Sequence, residues 1–134
     1  MSYADRFEQC QVPEVDDLHG FYAVKLVVPL VPDIRFFRHK KYFPGSDDHS
    51  DRGYNCFLGH IKIGAFRLER DRSDLADGLD VVKIIYDDPT NPGFLQRLTD
   101  EVREERGGCY FCRGVYDIFG RPTNVMYFTL TKLD

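Results

Sequence analysis

The sequence predicts a mainly β protein: an antiparallel sheet of about seven to ten strands, strongly curved or closed into a barrel. Three observations carry that prediction. Strand-like segments succeed one another without alternating helices, which excludes a doubly wound parallel sheet. The segment after Gly20 carries apolar residues at both parities, with Phe21, Ala23 and Val27 set against Tyr22, Val24, Leu26 and Val28. Neither face of that strand is then simply solvated, as expected of a covered sheet or a barrel wall. Finally, one late segment, 91–106, has the apolar stripe of an amphipathic helix.

The elements follow in order. Residues 1–19 are acidic and carry Pro13, and read as an arm or a short helical cover. Gly20–Pro29 is β-branched and aromatic, with Lys25 as its only charge. Asp33–Phe43 alternates loosely after Pro32, and Pro44–Tyr54 is a polar loop rich in Asp and Gly. Asn55–Arg70 contains at least one long strand, and its apolar phase changes from Phe57, Ile61 and Ile63 to Phe66 and Leu68. Gly64 stands at the change, where a bulge or sharp bend is expected. Leu79–Tyr86 is a further strand. Asn91-Pro92 then offers a helix start, Phe94, Leu95, Leu98 and Val102 form a stripe, and Gly107-Gly108 stops it. Cys109–Phe119 and Asn124–Leu133 are two strands joined by the turn Gly120–Thr123. With 134 residues and neither a repeat nor a linker, residues 1–134 are expected to form a single domain.

Composition narrows the function classes. A net charge of −4 argues against a protein devoted to a nucleic-acid backbone. No apolar run approaches the roughly 18–20 residues of a membrane span, so no membrane partner is expected. The first residues carry no signal or transit pattern, which gives a cytoplasmic address as the expectation. Cys10, Cys56, Cys109 and Cys112 do not form a disulfide framework or a zinc pattern. On a strand, Cys109 and Cys112 point to opposite faces, so neither a bound metal nor a disulfide between them is expected. No phosphate-binding glycine loop or nucleophile elbow occurs, and Ser2, Ser46, Ser50 and Ser73 all lie in polar or terminal segments. No cofactor is implied.

The opening Gly20-Phe21-Tyr22, the meandering strands, the late helix and the final strand pair resemble the calycins, the superfamily of lipocalin and fatty-acid-binding barrels. That family begins its first strand with Gly-x-Trp, where this chain has Tyr22, and supports it with an arginine on the last strand, where this chain offers Lys132. The resemblance implies a small apolar ligand held inside a barrel and transfers no catalytic residue.

Candidate site residues come from charges inside apolar strands, since a buried charge needs a partner. Lys25, His60, Lys62 and Arg113 are those charges, with Tyr22, Tyr110 and Tyr127 as aromatic neighbours. Together they suggest an aromatic pocket with a cationic end, holding a largely apolar ligand with a polar or anionic end. Two alternatives stand beside it. One is an acid–base enzyme of isomerase, cyclase or lyase type using His60, with Asp87 or Asp88; the other is a structural or regulatory module whose sheet faces pair in a homodimer. The basic run Arg35, Arg38, His39, Lys40 and Lys41, interleaved with Phe36, Phe37 and Tyr42, is the one feature suited to single-stranded nucleic acid. It reads equally as a solvated edge strand, and nucleic acid is not the expected partner.

Overall fold

Alternation along eight strands closes the sheet on itself. The computed structural model describes residues 2–45 and 52–133. Its strands are β1 (His19–Val27), β2 (Lys40–Pro44), β3 (Gly53–Phe57), β4 (Ile61–Arg72), β5 (Asp80–Ile85), β6 (Leu98–Arg106), β7 (Cys109–Ile118) and β8 (Arg121–Lys132). Each pairs antiparallel with the next, and β8 returns to β1 from Tyr22↔Lys132 to Val27↔Tyr127, giving an up-and-down closed barrel. Ser46, His49, Ser50 and the aspartates of the expected polar loop lie outside the described residues.

One parity of each strand faces the interior. Tyr22 and Val24 on β1, Phe43 on β2, Phe66 on β4, Val82 and Ile84 on β5, Val102 on β6, Tyr110 and Cys112 on β7, and Phe128 and Leu130 on β8 form one buried core. The phase change at Gly64 is a bulge: Asn55 pairs with Ile63 but Gly53 pairs with Phe66, so β4 holds one extra residue. Gly64 accommodates it with φ near 70°, a backbone state that L side chains rarely adopt. Gly53 is required for a different reason. A Cβ there would stand 2.2 Å from the Phe66 ring and 2.4 Å from the Tyr42 carbonyl oxygen.

The helix expected over 91–106 is confined to one turn, α2 (Gly93–Gln96), and 98–106 is strand β6. Leu98 and Val102 are four apart, a spacing that one helix face and one strand face share. Asp100 between them, which a helix would have turned to solvent, faces the barrel interior instead.

The N-terminal cover is a short helix, α1 (Tyr3–Gln9), followed by a 3-10 turn at Val15–Asp17. Ser2 caps α1 by accepting from the Asp5 N–H at 3.1 Å. Phe7 is fully buried from α1 onto the outer wall, against Val27, Val81 and Phe111. Arg103 of β6 donates to the Phe7 and Glu8 carbonyls at 3.1 and 2.9 Å, satisfying groups that the end of the helix leaves open. The other end of the interior is plugged by Leu18 and by the edge-on pairs Tyr22–Phe43 and Tyr22–Tyr110. Lys132 sets its ammonium 5.2 Å above the Tyr22 ring and donates to the His19 carbonyl, tying the last strand to the first.

Candidate functional site

Packing fills only part of the barrel. Toward the opposite end the interior opens into a cavity of about 550 Å³, within the range of small-molecule sites. Its walls are apolar: Val24 and Leu26 of β1, Phe57 of β3, Leu95 and Leu98 around α2, and Met126 and Phe128 of β8. The polar groups are few. His39, Lys41, Asn55, Tyr86 and Asp100 line the same cavity and are joined to one another.

Lys41 is the hub. It shares parity with Phe43 on β2, so its side chain enters the barrel, where it is 3% exposed. Its ammonium donates to Asn55 Oδ1 at 2.6 Å and to the Tyr86 hydroxyl. The Tyr86 hydroxyl in turn donates to Asp100 Oδ2 at 2.9 Å, and Lys41 Nζ lies 3.5 Å from that same oxygen. His39 Nε2 is 2.8 Å from Asn55 Oδ1, and its ring stacks on Phe57 at 4.3 Å. Asn55 Nδ2 is fixed by the Gly64 carbonyl at 3.2 Å, which ties the network to the β4 bulge. Asp100 Oδ1 is buried with no hydrogen-bond partner among the described residues.

Burial sets the electrostatics. Loss of hydration pushes the Lys41 ammonium below the usual lysine range, opposed by Asp100, and pushes the Asp100 carboxyl up, opposed by Lys41. Burial also raises the Tyr86 phenol well above its ordinary value. His39 falls to about 4, first through burial and then through the Lys41 charge. Whether the Lys41–Asp100 pair is ionised or has exchanged its proton, it contributes no net charge to the cavity.

The residues expected to form the pocket stand elsewhere. Lys25 projects outward and is exposed, because only the even partners Val24 and Leu26 on either side of it face in. His60 is exposed in the β3–β4 turn, bonded through Nδ1 to the Leu58 carbonyl at 3.0 Å, far from a catalytic setting. Lys62 lies outside, 4.8 Å over the Tyr54 ring. Arg113 is buried, but on the outer wall: Nε meets Glu101 at 2.7 Å, and the two terminal nitrogens meet Asp77 at 2.8 and 3.0 Å. Its guanidinium also lies over the Phe7 ring of α1. Tyr127 stacks on Phe111 beneath that helix, whereas Tyr22 and Tyr110 are interior but belong to the plugged end. The cationic end imagined from these residues is therefore not assembled; the cavity's cation is Lys41. Asp87 pairs with Arg67 and Asp88 accepts from Thr90, outside the cavity.

The basic run also divides. His39 and Lys41 turn inward while Arg35, Arg38 and Lys40 remain outside, so it does not present a continuous cationic strip. Cys109 and Cys112 lie on opposite faces of β7, with Cys112 in the core and its thiol pushed up by burial.

Fold and site together define an eight-stranded antiparallel barrel with one plugged end and one hollow end. No family model matches the chain, and neither a curated protein nor a solved structure matches it.

Proposed function

We propose that this barrel binds one small, largely apolar molecule, with a neutral polar group of the ligand lying against Lys41, Tyr86 and Asp100. The observation that carries the reading is the apolar cavity of about 550 Å³ whose few polar side chains converge at one place. A hydroxyl suits that place, since it can both donate and accept beside Lys41, the Tyr86 hydroxyl and the Asp100 carboxyl group. A carboxylate adds a net negative charge to a pair that is already balanced, and burying it costs more. The lining thus favours a neutral alcohol or phenol over the anionic end group also considered from sequence. Membership in the calycin superfamily belongs to the same proposal. It is supported by the closed barrel and by Lys132 lying over Tyr22, the arrangement for which the family uses arginine and tryptophan. So does the reading of residues 1–134 as one domain, supported by the packing of α1 on the wall.

The test is displacement of the neutral apolar dye N-phenyl-1-naphthylamine by 1-dodecanol and by dodecanoate, with native mass spectrometry for stoichiometry. One dodecanol bound per chain, more tightly than dodecanoate at pH 7, is expected. Val24→Trp, which fills the cavity, abolishes binding of both. Failure of the dye and both probes to bind at all overturns the proposal.

An acid–base reaction is a second reading, now centred on Asp100 rather than His60. It is favoured by Asp100 joined to Tyr86 and Lys41 at the cavity wall, a set able to move a proton at a bound carbonyl compound. Its mark is exchange of a ligand's α-hydrogen for deuterium in D2O, lost in Asp100→Asn.

A further inference from the structure

In an up-and-down barrel the connections β1–β2, β3–β4, β5–β6 and β7–β8 all emerge at the same end. Here that is the hollow end. Among the described residues, every exposed large aliphatic or phenylalanine side chain except Val125 of β8 lies on those connections or within three residues of a strand end beside them. Each connection contributes: Leu30 and Phe37 from β1–β2, Leu58 from β3–β4, Phe94 from α2, and Phe119 from β7–β8. Leu30 is fully exposed and Phe119 is 95% exposed.

Single exposed apolar residues are ordinary, but an apolar crown drawn from four separate connections is not. The backbone adds a second observation. Leu30, Phe37, Leu58 and Phe119 all have φ between 50° and 65°, the left-handed region that turns usually assign to glycine or asparagine. Large apolar groups thus occupy tight-turn positions where they are both strained and unpacked. Burial in this chain explains none of them.

Charge identifies what they meet. Arg35, Arg38, Lys62, Arg97 and Arg121 are exposed on these connections or beside them, with Asp33, Asp87 and Asp117 as the exposed acids. The plugged end is the more acidic one: Glu14, Asp16, Asp17, Asp74 and Asp77 are exposed at its cover and on the β4–β5 connection, with Arg70, Arg72 and Arg106 as the exposed cations beside them. A chain of net charge −4 has therefore turned a cationic, apolar-tipped end outward around its cavity. Separated prongs ringing an opening do not make the flat, close-packed patch of a protein interface. They suit a lipid surface, where side chains enter individually between headgroups and cations meet phosphate and carboxylate.

We propose that the hollow end docks on the surface of an anionic phospholipid bilayer, inserting Leu30, Phe37, Leu58, Phe94 and Phe119 to the headgroup level. The cavity mouth then faces the lipid. This docking does not depend on what the cavity holds. It departs from the expectation of no membrane partner, which rested on the absence of a continuous apolar run; prongs assembled from distant loops leave no such run.

The experiment is flotation of the full chain with vesicles of phosphatidylcholine alone and of phosphatidylcholine with 30% phosphatidylserine, alongside sedimentation velocity without lipid. Binding to the anionic vesicles, weakened by salt and at least tenfold weaker to neutral ones, is expected. The double variant Leu30→Ser/Phe119→Ser should lower that binding at least tenfold with an unchanged circular-dichroism spectrum, and Arg35→Gln/Arg38→Gln should flatten the salt dependence. Absence of binding to either vesicle, or binding that the serine variant leaves unchanged, overturns the proposal. So does a lipid-free dimer that the serine variant makes monomeric, which would assign the crown to a second copy of the chain.

Discussion

Replacing Lys41 with methionine removes a cation from the barrel interior while nearly preserving its volume, and the partners decide the consequence. At 3.5 Å from Asp100 Oδ2 the pair attracts by about 5 kcal/mol at an effective dielectric constant near 20. Desolvating the two ions opposes this by several kcal/mol each, so the intact pair contributes little net stability. Lys41→Met therefore costs about 3–5 kcal/mol, because it leaves the Asp100 carboxylate buried with only the Tyr86 hydroxyl. That cost depends on pH. The Asp100 carboxyl is already raised by burial, and loss of Lys41 raises it further. A carboxyl whose folded pKa exceeds its unfolded value takes up protons on folding, so stability rises as pH falls through the folded pKa. The deficit of Lys41→Met should accordingly shrink between pH 7.5 and pH 5. The double variant Lys41→Met/Asp100→Leu removes both charges and should lie within about 1 kcal/mol of the parent, or above it. Urea unfolding followed by far-ultraviolet circular dichroism at both pH values measures all of this. A Lys41→Met cost below about 1 kcal/mol at pH 7.5, or a double variant less stable than Lys41→Met, refutes the reasoning. A stable double variant that no longer prefers dodecanol would show that the polar group serves the ligand rather than the fold.

Three further outcomes are expected. His39 should titrate near 4 by NMR, and since its folded pKa lies below the unfolded value near 6.5, stability should fall as pH drops from 6.5 to 4, by roughly 2 kcal/mol after allowance for its partial exposure; His39→Gln should flatten that slope. Arg113→Met should lower stability by about 3–5 kcal/mol in urea titrations, because fully buried Glu101 loses its charged partner, whereas Lys25→Met on the exposed face should change stability by less than about 0.5 kcal/mol and leave dye binding unaltered. Gly53→Ala should abolish the cooperative thermal transition or lower its midpoint by more than about 10 °C, since the added carbon meets the Tyr42 carbonyl oxygen as well as the Phe66 ring.

The wall of the barrel was legible in the sequence wherever alternation ran unbroken. β1, β5, β7 and β8 stand where their β-branched and aromatic runs place them, and the parity change around Gly64 marks a real bulge. β6 was hidden because its inward residue between Leu98 and Val102 is Asp100, and an acid at that position reads as the solvent face of a helix. The site was hidden by the same inversion. Lys41 sits in a basic run where each cation reads as solvated, although sharing parity with Phe43 was a signal that it faces inward. Tyr86 reads as the last residue of a strand, and Asn55 as the first residue of a strand-containing segment just after a polar loop. Arg113 was rightly singled out as a charge that needs a partner. Its partners proved to be Glu101 and Asp77 on the outer wall, residues whose proximity depends on how β6 and the β4–β5 connection fold.

The distribution of packing along the barrel axis explains how such a cavity is tolerated. Tyr22, Phe43, Phe66 and Tyr110 fill the plugged half with edge-on and tilted ring contacts, each buried side chain contributing about 1.5–3 kcal/mol. The outer wall adds the Phe7–Phe111 cluster beneath α1, bracketed by Arg6–Glu105 and Arg113–Glu101. The first fills the plugged end and the second lies outside the barrel, so neither occupies the cavity. The hollow half has its walls held by the strand ladder and by Asn91, whose side chain bridges the Ala65 and Tyr86 backbones. Its interior is therefore not needed for packing, and Lys41, Tyr86 and Asp100 remain there at a cost in desolvation that apolar residues of the same size would avoid. In the binding function proposed above, a polar group kept in that position against the preference of the fold is accounted for by a molecule that enters from the mouth and meets it.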